Sequence, residues 1–574
     1  MTKTDIGDHR RNLNLNKLSQ IKDARIPTTE GSTKNKSANA EKDSNLNKEV
    51  PTSSENEKPH QDSEEQADED LFFKRKQEEE GYTGKTNISH ILFGIGGSVS
   101  TWKKRRHYTE LWWKPNITRG FVWLDEKPNT WFVTSPPYKV SENADTKSAV
   151  RIARIVLESF KLGLKSVRWF VLGEDDTVFF PDNLVSVLSK YDHNKMYYIG
   201  DNSESVEQDV SHSYNMAYGG GGFAISYRLA FELAQKLDDC ISRYSYMHGS
   251  DERISACVAD IGVPLTKEVG FHQLDIRGDP YGLLAAHPLA PLVSLHHLDD
   301  VEPLFPKMRQ LDSVKMLMDN AYKMDPGRTL QQSVCYDSKR DWSISVSWGY
   351  TVQIYPYFLS AQELCTPLQS FRTWSTRSEK LFTFNVRPVN SDPCEGPFIF
   401  FLEKLVKGRR ETVGTYKSYF DQIRMKCYRP KYAAAMKVST AVISSSIMDN
   451  NEWLRGPRRQ CCEIRNGNSA DDKEKVIADL FPASLLRFGI EKMDAYSDLV
   501  MSRCKSLQMV SEHSILSDLV IMENQKEFDE LAKKVDSLKS IQKYLVREFK
   551  DNYKNLSPQF ITSIKNLSAE LKAV

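Results

Sequence analysis

Three consecutive acids, Glu174-Asp175-Asp176, follow the apolar run Trp169-Phe-Val-Leu172 and precede Thr177-Val-Phe-Phe-Pro181. Ionising adjacent carboxylates together is costly, because each charge disfavours the next. A divalent cation removes that cost, and hard carboxylate oxygens suit Mn2+ or Mg2+, which can then bridge to a diphosphate. From the triplet alone, an acidic strand-end loop or a helix-capping cluster is the alternative. Tyr218-Gly-Gly-Gly-Gly-Phe-Ala-Ile-Ser226 is the second cluster. Glycine lets backbone approach a ligand closely, which suits the floor of a sugar site, although a flexible turn is the plainer reading. The run lacks the pattern of a dinucleotide loop, and no P-loop Lys-Ser/Thr accompanies it. Gly249-Ser-Asp-Glu-Arg-Ile-Ser-Ala-Cys257 opens a helix with Ile254, Cys257 and Val258 on one face. Ser250 or Asp251 would be its N-cap, or one carboxylate of Asp251 and Glu252 is a general base. Ser294-Leu-His-His-Leu-Asp-Asp300 offers His296 and His297 as a metal ligand or as structural histidines.

These clusters need elements to hold them. His90–Gly96, Gly120–Leu124, Arg168–Leu172 and Lys195–Ile199 read as buried strands. Ala149, Ile152, Ala153, Val156, Leu157 and Phe160 fall at helical spacing, with Gly163 as a stop. Strands alternating with helices predict an α/β fold with a mostly parallel sheet. Ligands in such sheets sit at the carboxyl ends of the strands, which points at Gly94–Gly97, Asp125 and Glu174–Asp176. From about Leu311 the texture changes. Asp341–Ile354 alternates like exposed strands and Phe382–Val386 reads as another, so residues 311–465 are expected to form a β-rich extension of a body at 85–310. Residues 1–82 are polar, with the acidic run 62–70, and hold no Trp, Tyr, Phe or Cys before Phe72. Such a segment cannot bury enough surface to offset its ordering entropy, and disorder is expected. In 470–574, Phe528, Leu531, Val535, Leu538, Ile541, Leu545 and Phe549 recur at helical spacing. This predicts an amphipathic helix, packed in a bundle with 483–498 and 512–523 or paired with a helical partner.

The whole chain sets outer bounds. It has 574 residues, about four domains by a prior of roughly 150 residues each. A net charge of +1 provides no bulk drive toward nucleic acid or an anionic membrane. No run reaches the roughly 18–20 apolar residues of a membrane span, and Met1 opens no signal peptide, so no anchor or leader is legible. Cys240, Cys257, Cys335, Cys365, Cys394, Cys427, Cys461 and Cys462 form an even set. That favours an oxidising lumen, without revealing the pairing; buried thiols in a cytosolic protein are the alternative. Asn116-Ile-Thr118 and Asn87-Ile-Ser89 are acceptor sequons, meaningful only in a secreted chain.

In this order the four motifs resemble the fringe-like glycosyltransferases. The phrases Ile88-Ser-His-Ile-Leu-Phe-Gly-Ile95, Trp169-Phe-Val-Leu-Gly-Glu-Asp-Asp-Thr177 and Val293-Ser-Leu-His-His-Leu-Asp299 are most similar to plant fringe-related proteins long catalogued as a domain of unknown function. The resemblance spans about 85–465, ends near Arg459-Gln-Cys-Cys-Glu463, and covers neither tail. It implies a Rossmann-like nucleotide-diphosphosugar transferase of the GT-A type. Its reaction would move a hexose or N-acetylhexosamine from a UDP-sugar to a hydroxyl of a glycan or glycoprotein. The transfer would invert, typically form a β1,3 linkage, and depend on Mn2+ or Mg2+. By the same resemblance Asp176 binds the metal, Asp175 contacts the nucleotide-sugar or the metal's waters, Glu174 stands on the nucleotide-sugar side, and Asp125 contacts the nucleotide. Gly219, Gly220, Gly221 and Gly222 line the sugar pocket. Asp251 is the base, with Glu252 the fallback, and His296 or His297 is the late metal ligand. Relatives of this kind are usually anchored in the Golgi by an N-terminal membrane helix, where this chain has a polar segment; otherwise a cytoplasmic location is expected. A catalytically inactive sugar-nucleotide or glycan binder on the same fold, or a coiled-coil scaffold, are the competing readings.

Overall fold

The computed structural model describes residues 85–481 apart from 143–146, 375–384, 410, 420–426, 428, 455–457 and 466–474. The tail expected to be disordered, the helices expected at 483–498, 512–523 and 528–549, and residues 382–384 of one expected strand lie outside the described residues.

The sheet that carries the acids is built from β1 (Ile91–Gly96), β2 (Arg119–Leu124), β3 (Tyr138–Val140), β4 (Trp169–Glu174), β6 (Tyr198–Gly200), β7 (Phe223–Ser226) and β8 (Leu265–Lys267). Its order is β3-β2-β1-β4-β7-β6-β8. The pairings β2–β3, β1–β2, β1–β4 and β6–β8 are parallel, whereas β7 runs antiparallel to both β4 and β6. This is the α/β architecture expected. The order reverses between β1 and β4, and a crevice opens at the carboxyl ends of such a pair. There Gly96 lies opposite Glu174 in register. Completely buried strands such as Ile91–Gly96 need apolar residues on both faces, which is why they read as unbroken hydrophobic runs.

Helices cover the sheet. Ser98 caps α1 (Val99–Trp112) by accepting the Thr101 N–H at 3.1 Å. The expected helix over 149–160 is two: α2 (Ser148–Ala153) and α3 (Ile155–Lys161) meet at Arg154. The Arg154 N–H there is shared between the Val150 and Arg151 carbonyls, tightening the turn. Further along lie α4 (Pro181–Leu188), α5 (Val206–Ser211), α6 (Tyr227–Arg243) and α7 (Ser250–Asp260). A small sheet of β5 (Val178–Phe179), β11 (Ser294–Leu295) and β9 (Phe271–His272) follows the acids, and β10 (Ile276–Gly278) pairs with β15 (Phe371–Thr373).

The later residues form an eight-stranded sheet, β12 (Gln332–Asp337), β13 (Trp342–Ser347), β14 (Thr351–Tyr355), β16 (Phe398–Lys407), β17 (Glu411–Tyr419), β18 (Thr440–Ser446), β20 (Lys475–Phe481) and β19 (Cys461–Arg465), in that spatial order. Two expectations are corrected here. Within Asp341–Ile354 the strands are not exposed: β13 and β14 are buried on both faces. The small hydroxyls on their polar face find buried partners: the Leu359 N–H donates to Ser343, the Gln332 side chain to Ser345, and Ser347 to the Leu284 carbonyl. Lys475–Phe481, placed by its position within a helical tail, is a strand that runs parallel to β18 and antiparallel to β19. The end strands β12 and β19 meet and are joined by Cys335–Cys462. Cys240–Cys257 links α6 to α7, and Cys394–Cys427 forms a third disulfide; Cys365 is a free thiol. One apolar cluster unites Phe93, Trp112, Phe179 and Leu295 with Ile344, Phe400 and Ile443. Each such side chain contributes roughly 1.5–3 kcal/mol on burial. Among the described residues no helix is long and apolar enough to cross a membrane.

Candidate active site

The acids are held from three directions. On α1, Thr109 donates to the Asp175 carbonyl at 3.2 Å and Trp112 Nε1 to the Thr177 carbonyl at 3.1 Å, fixing the turn after β4. The Thr177 hydroxyl accepts the Glu174 N–H at 2.8 Å and donates to the Gly220 carbonyl at 2.7 Å, tying the acid turn to the glycine run. Pairing of β11 with β5 sets Leu295 opposite Val178, which brings the next residue, His296, over Asp176.

Glu174, Asp176 and His296 converge, with donor atoms all within 4.8 Å of one another. No other such group of three His, Cys, Asp or Glu side chains is found among the described residues. Asp176 Oδ1 and His296 Nε2 pair at 3.2 Å, and both side chains are all but inaccessible, 1% and 2% exposed. Adjacent donors on an octahedral cation with bonds of about 2.1 Å lie about 3 Å apart, so these two buried donor atoms have the spacing a divalent metal needs. Burial opposes ionisation of Asp176, but His296 and Arg105 beside it hold its carboxyl well below the usual range. Burial disfavours the imidazolium too, yet Asp176 and Glu174 raise His296 to about 9. Glu174, expected on the nucleotide side, stands in the trio itself, its carboxyl pushed up by burial and by the neighbouring acids.

The two histidines diverge. His297 adopts a left-handed backbone, φ 48°, which turns its ring toward Asp275 at 3.0 Å and away from the trio. That ring lies between His296 and Trp374, with centroids 3.8 and 4.3 Å away. Asp175 points the other way, toward Arg105, and burial brings its carboxyl to about 6. Gly97 approaches so closely that an added Cβ would lie 2.9 Å from the Asp175 carboxylate. Asp125 accepts the Val99 N–H at 2.8 Å and so anchors the start of α1.

The glycine run is a platform. A Cβ on Gly220 would sit 2.0 Å from the His296 ring. The Gly221 N–H donates to Gln273 Oε1 at 2.6 Å, and Gly222 takes a positive φ of 84° to make the turn into β7. The Gly219 N–H donates to Asp251 Oδ2 at 2.9 Å, and both Asp251 and Glu174 would touch a Cβ added to Gly219. Asp251 and Glu174 thus share the rim of a small cleft whose apolar walls include Ile152, Ile155 and Phe223.

Asp251 and Glu252 separate in role. The N-cap of α7 is Gly249, not Ser250 or Asp251. Glu252 reaches back to the Gly249 N–H at 2.6 Å and meets His212 at 2.9 Å, outside the trio. Burial opposes its ionisation, but these partners keep it below its ordinary range. Burial raises Asp251 above its own, against the Gly219 and Glu252 N–H groups. Two acids pushed apart in this way separate the candidate base from the cap. Arg105, Gln273, Asp275 and Trp374 were not singled out from sequence. For Arg105 a signal exists, the basic run Lys103-Lys104-Arg105-Arg106 just after the glycines that end β1. For Trp374 there is none, because its place depends on the pairing of β10 with β15.

Residues 121–278 match the model of the fringe-like family, and residues 208–462 match that of a family described as "Protein of unknown function, DUF604". The two matches overlap at 208–278, so residues 121–278 are similar to the fringe-like family and the stretch that follows to the second family. Among solved structures the chain is similar to the glycosyltransferase GlyE of Streptococcus pneumoniae TIGR4, at 10% identity and a TM-score of 0.23, over 32% of this chain and 48% of that one. The chain thus spans about half the length of that protein, a likeness too remote to speak of substrate. No curated protein matches the chain.

Proposed function

We propose that the protein is an inverting, metal-dependent glycosyltransferase that moves a hexose or N-acetylhexosamine from a UDP-sugar to an acceptor hydroxyl, with a β1,3 linkage by family analogy. The observation that carries this is the convergence of Glu174, Asp176 and His296 over Gly220, with Asp251 at the rim of the same cleft. Glu174, Asp176 and His296 would hold Mn2+ or Mg2+. When bound, the ion supplies Lewis-acid neutralisation of a diphosphate leaving group. Asp251, its carboxyl raised and open to the cleft, takes the proton from the acceptor hydroxyl, which then attacks the anomeric carbon opposite the diphosphate. One base and no covalent intermediate give inversion. Gly219–Gly222 let the sugar approach the backbone, Asp175 serves the nucleotide-sugar side, and Asp125, by holding α1, shapes the nucleotide end. The acceptor would be a glycan or glycoprotein. Three disulfides support an oxidising compartment, the Golgi lumen by family analogy. The test is release of UDP from UDP-sugars by the purified chain with Mn2+. Activity that survives both EDTA and Asp176→Ala would remove the metal role, and absence of turnover with every UDP-sugar alongside intact UDP binding would favour a binding protein.

A further inference from the structure

Arg105 lies on the stripe of α1 that faces the acids, one turn before Thr109 and two before Trp112, both bonded to the backbone of the acid turn. Its neighbours point elsewhere: Lys103 and Lys104 are exposed, and Arg106 is paired with Glu110. Arg105 Nη1 meets Asp176 Oδ2 at 2.9 Å and Asp175 Oδ1 at 3.6 Å. The other oxygen of Asp176 is the one that faces His296. One carboxylate is therefore divided between a guanidinium on one oxygen and the His296 ring, at the place for a cation, on the other. Asp176 is 1% exposed, whereas the Arg105 side chain is 33% exposed and forms the open border of the acid cluster. One turn of helix further on, Tyr108 donates to Asp299 at 2.5 Å, setting another carboxylate near the guanidinium. Arg151, the other arginine near Asp175 and Asp125, is buried and donates to the Trp123 carbonyl, so it is committed.

Resting on the reading of Glu174, Asp176 and His296 as the metal site, we propose that Arg105 is the internal counter-ion of the metal-free site and the diphosphate-binding residue of the loaded one. Metal and nucleoside diphosphate then bind cooperatively through it. A divalent cation on Asp176 Oδ1 repels a guanidinium on Oδ2 of the same group and claims the charge that held it. A diphosphate beside that cation offers the freed guanidinium a bidentate partner, for which its planar fork is shaped. Coupling of this kind is reciprocal: each ligand strengthens the other by the same factor.

The experiment is a pair of titrations on the purified full chain, Mn2+ alone followed by electron paramagnetic resonance, and UDP with and without Mn2+ by calorimetry. In Arg105→Gln the competitor on Asp176 Oδ2 is gone and the His296 pair on Oδ1 is the same as in the wild type, so Mn2+ alone should bind about tenfold tighter, within the usual range of site-to-site coupling. UDP in the presence of Mn2+ should bind about 10- to 100-fold weaker, the loss of a charged hydrogen-bonding partner. Damage to the fold would weaken both ligands; opposite signs are what the proposal requires. Arg105→Lys keeps the charge without the fork. It should hold Mn2+ within about threefold of the wild type and lose about tenfold for UDP, and it serves alone if the glutamine variant fails to fold. Wild-type Mn2+ binding with unchanged or weaker binding in Arg105→Gln, or unchanged UDP binding in either variant, overturns the role of Arg105 and leaves the metal site standing. Wild-type protein that binds no Mn2+, or binds it as well after Asp176→Ala, overturns the metal site and this proposal with it.

Discussion

Gly220→Ala tests the site through a single methyl group. Its Cβ would lie 2.0, 2.3 and 2.4 Å from Cε1, Nδ1 and Nε2 of His296. Ordinary carbon contacts are about 3.5–4.0 Å, so ring and loop must separate by about 1.5 Å. The loop resists, because its Gly220 carbonyl is held by Thr177 at 2.7 Å and the next N–H by Gln273 at 2.6 Å. The displacement therefore falls on the imidazole. Metal ligands are placed to within about 0.2 Å, so a shift several times larger removes His296 from the set. The expected outcome is a loss of at least about 10- to 100-fold in Mn2+ affinity, the scale seen when even a ligand's supporting partner is disturbed. Overpacking should cost about 1–3 kcal/mol of stability in a urea titration. Gly163→Ala is the control: it has φ +58° but no atom within 4 Å of the added Cβ, so it should strain the backbone and leave Mn2+ affinity unchanged. A folded Gly220→Ala protein that binds Mn2+ within about threefold of the wild type would refute the reasoning.

Asp251→Asn should lower transfer by about 10²–10⁴ while leaving Mn2+ binding intact, and near-normal turnover in a UDP-release assay would move the base elsewhere. Glu252→Gln, whose side chain serves the cap of α7, the His248 N–H and His212, should change turnover by no more than a few-fold and cost about 1 kcal/mol; a loss as large as that of Asp251→Asn would reverse the assignment. Burial and the nearby Arg168 push His193 down to about 4, against 6.5 in an unfolded chain. Between those values the unfolded state binds the proton more readily, so stability falls as pH drops from 6.5 toward 4 and is unaffected above. His193→Asn should therefore lose about 2–3 kcal/mol less than the wild type between pH 7.5 and 4.5 in denaturant titrations, and identical slopes would exclude His193 as a source. Removing Cys335–Cys462, which closes 127 residues, should cost on the order of 4–5 kcal/mol in the chain-entropy picture. Unchanged urea midpoints with and without reductant would show that β12 and β19 stay together unaided.

Local signals were legible where one short stretch determines the outcome. The buried strands before Gly96 and Glu174, and the glycine run before β7, are matters of pattern and of missing side chains. The choice between His296 and His297 was not legible, since adjacent residues differ only through the positive φ at 297 and the pairing of β11 with β5. Nor was Gly249 as the cap of α7, because Ser250 and Asp251 are the better capping residues by type and only the backbone decides. Alternating serines in β13 signalled exposure, but hydroxyls with buried partners satisfy the same pattern. Lys475–Phe481 lay too close to a strongly helical sequence to show that β18 offers it an edge.

Trp374 belongs to the later part of the chain, yet it stacks on His297, the neighbour of His296. The trio is likewise divided: Glu174 and Asp176 fall in the first family match, His296 in the second, and Gly220 and Asp251 in the overlap. Neither matched stretch holds all of Glu174, Asp176 and His296. A substitution that moves β10 or β15 should therefore be felt at the imidazoles as surely as one beside the acids.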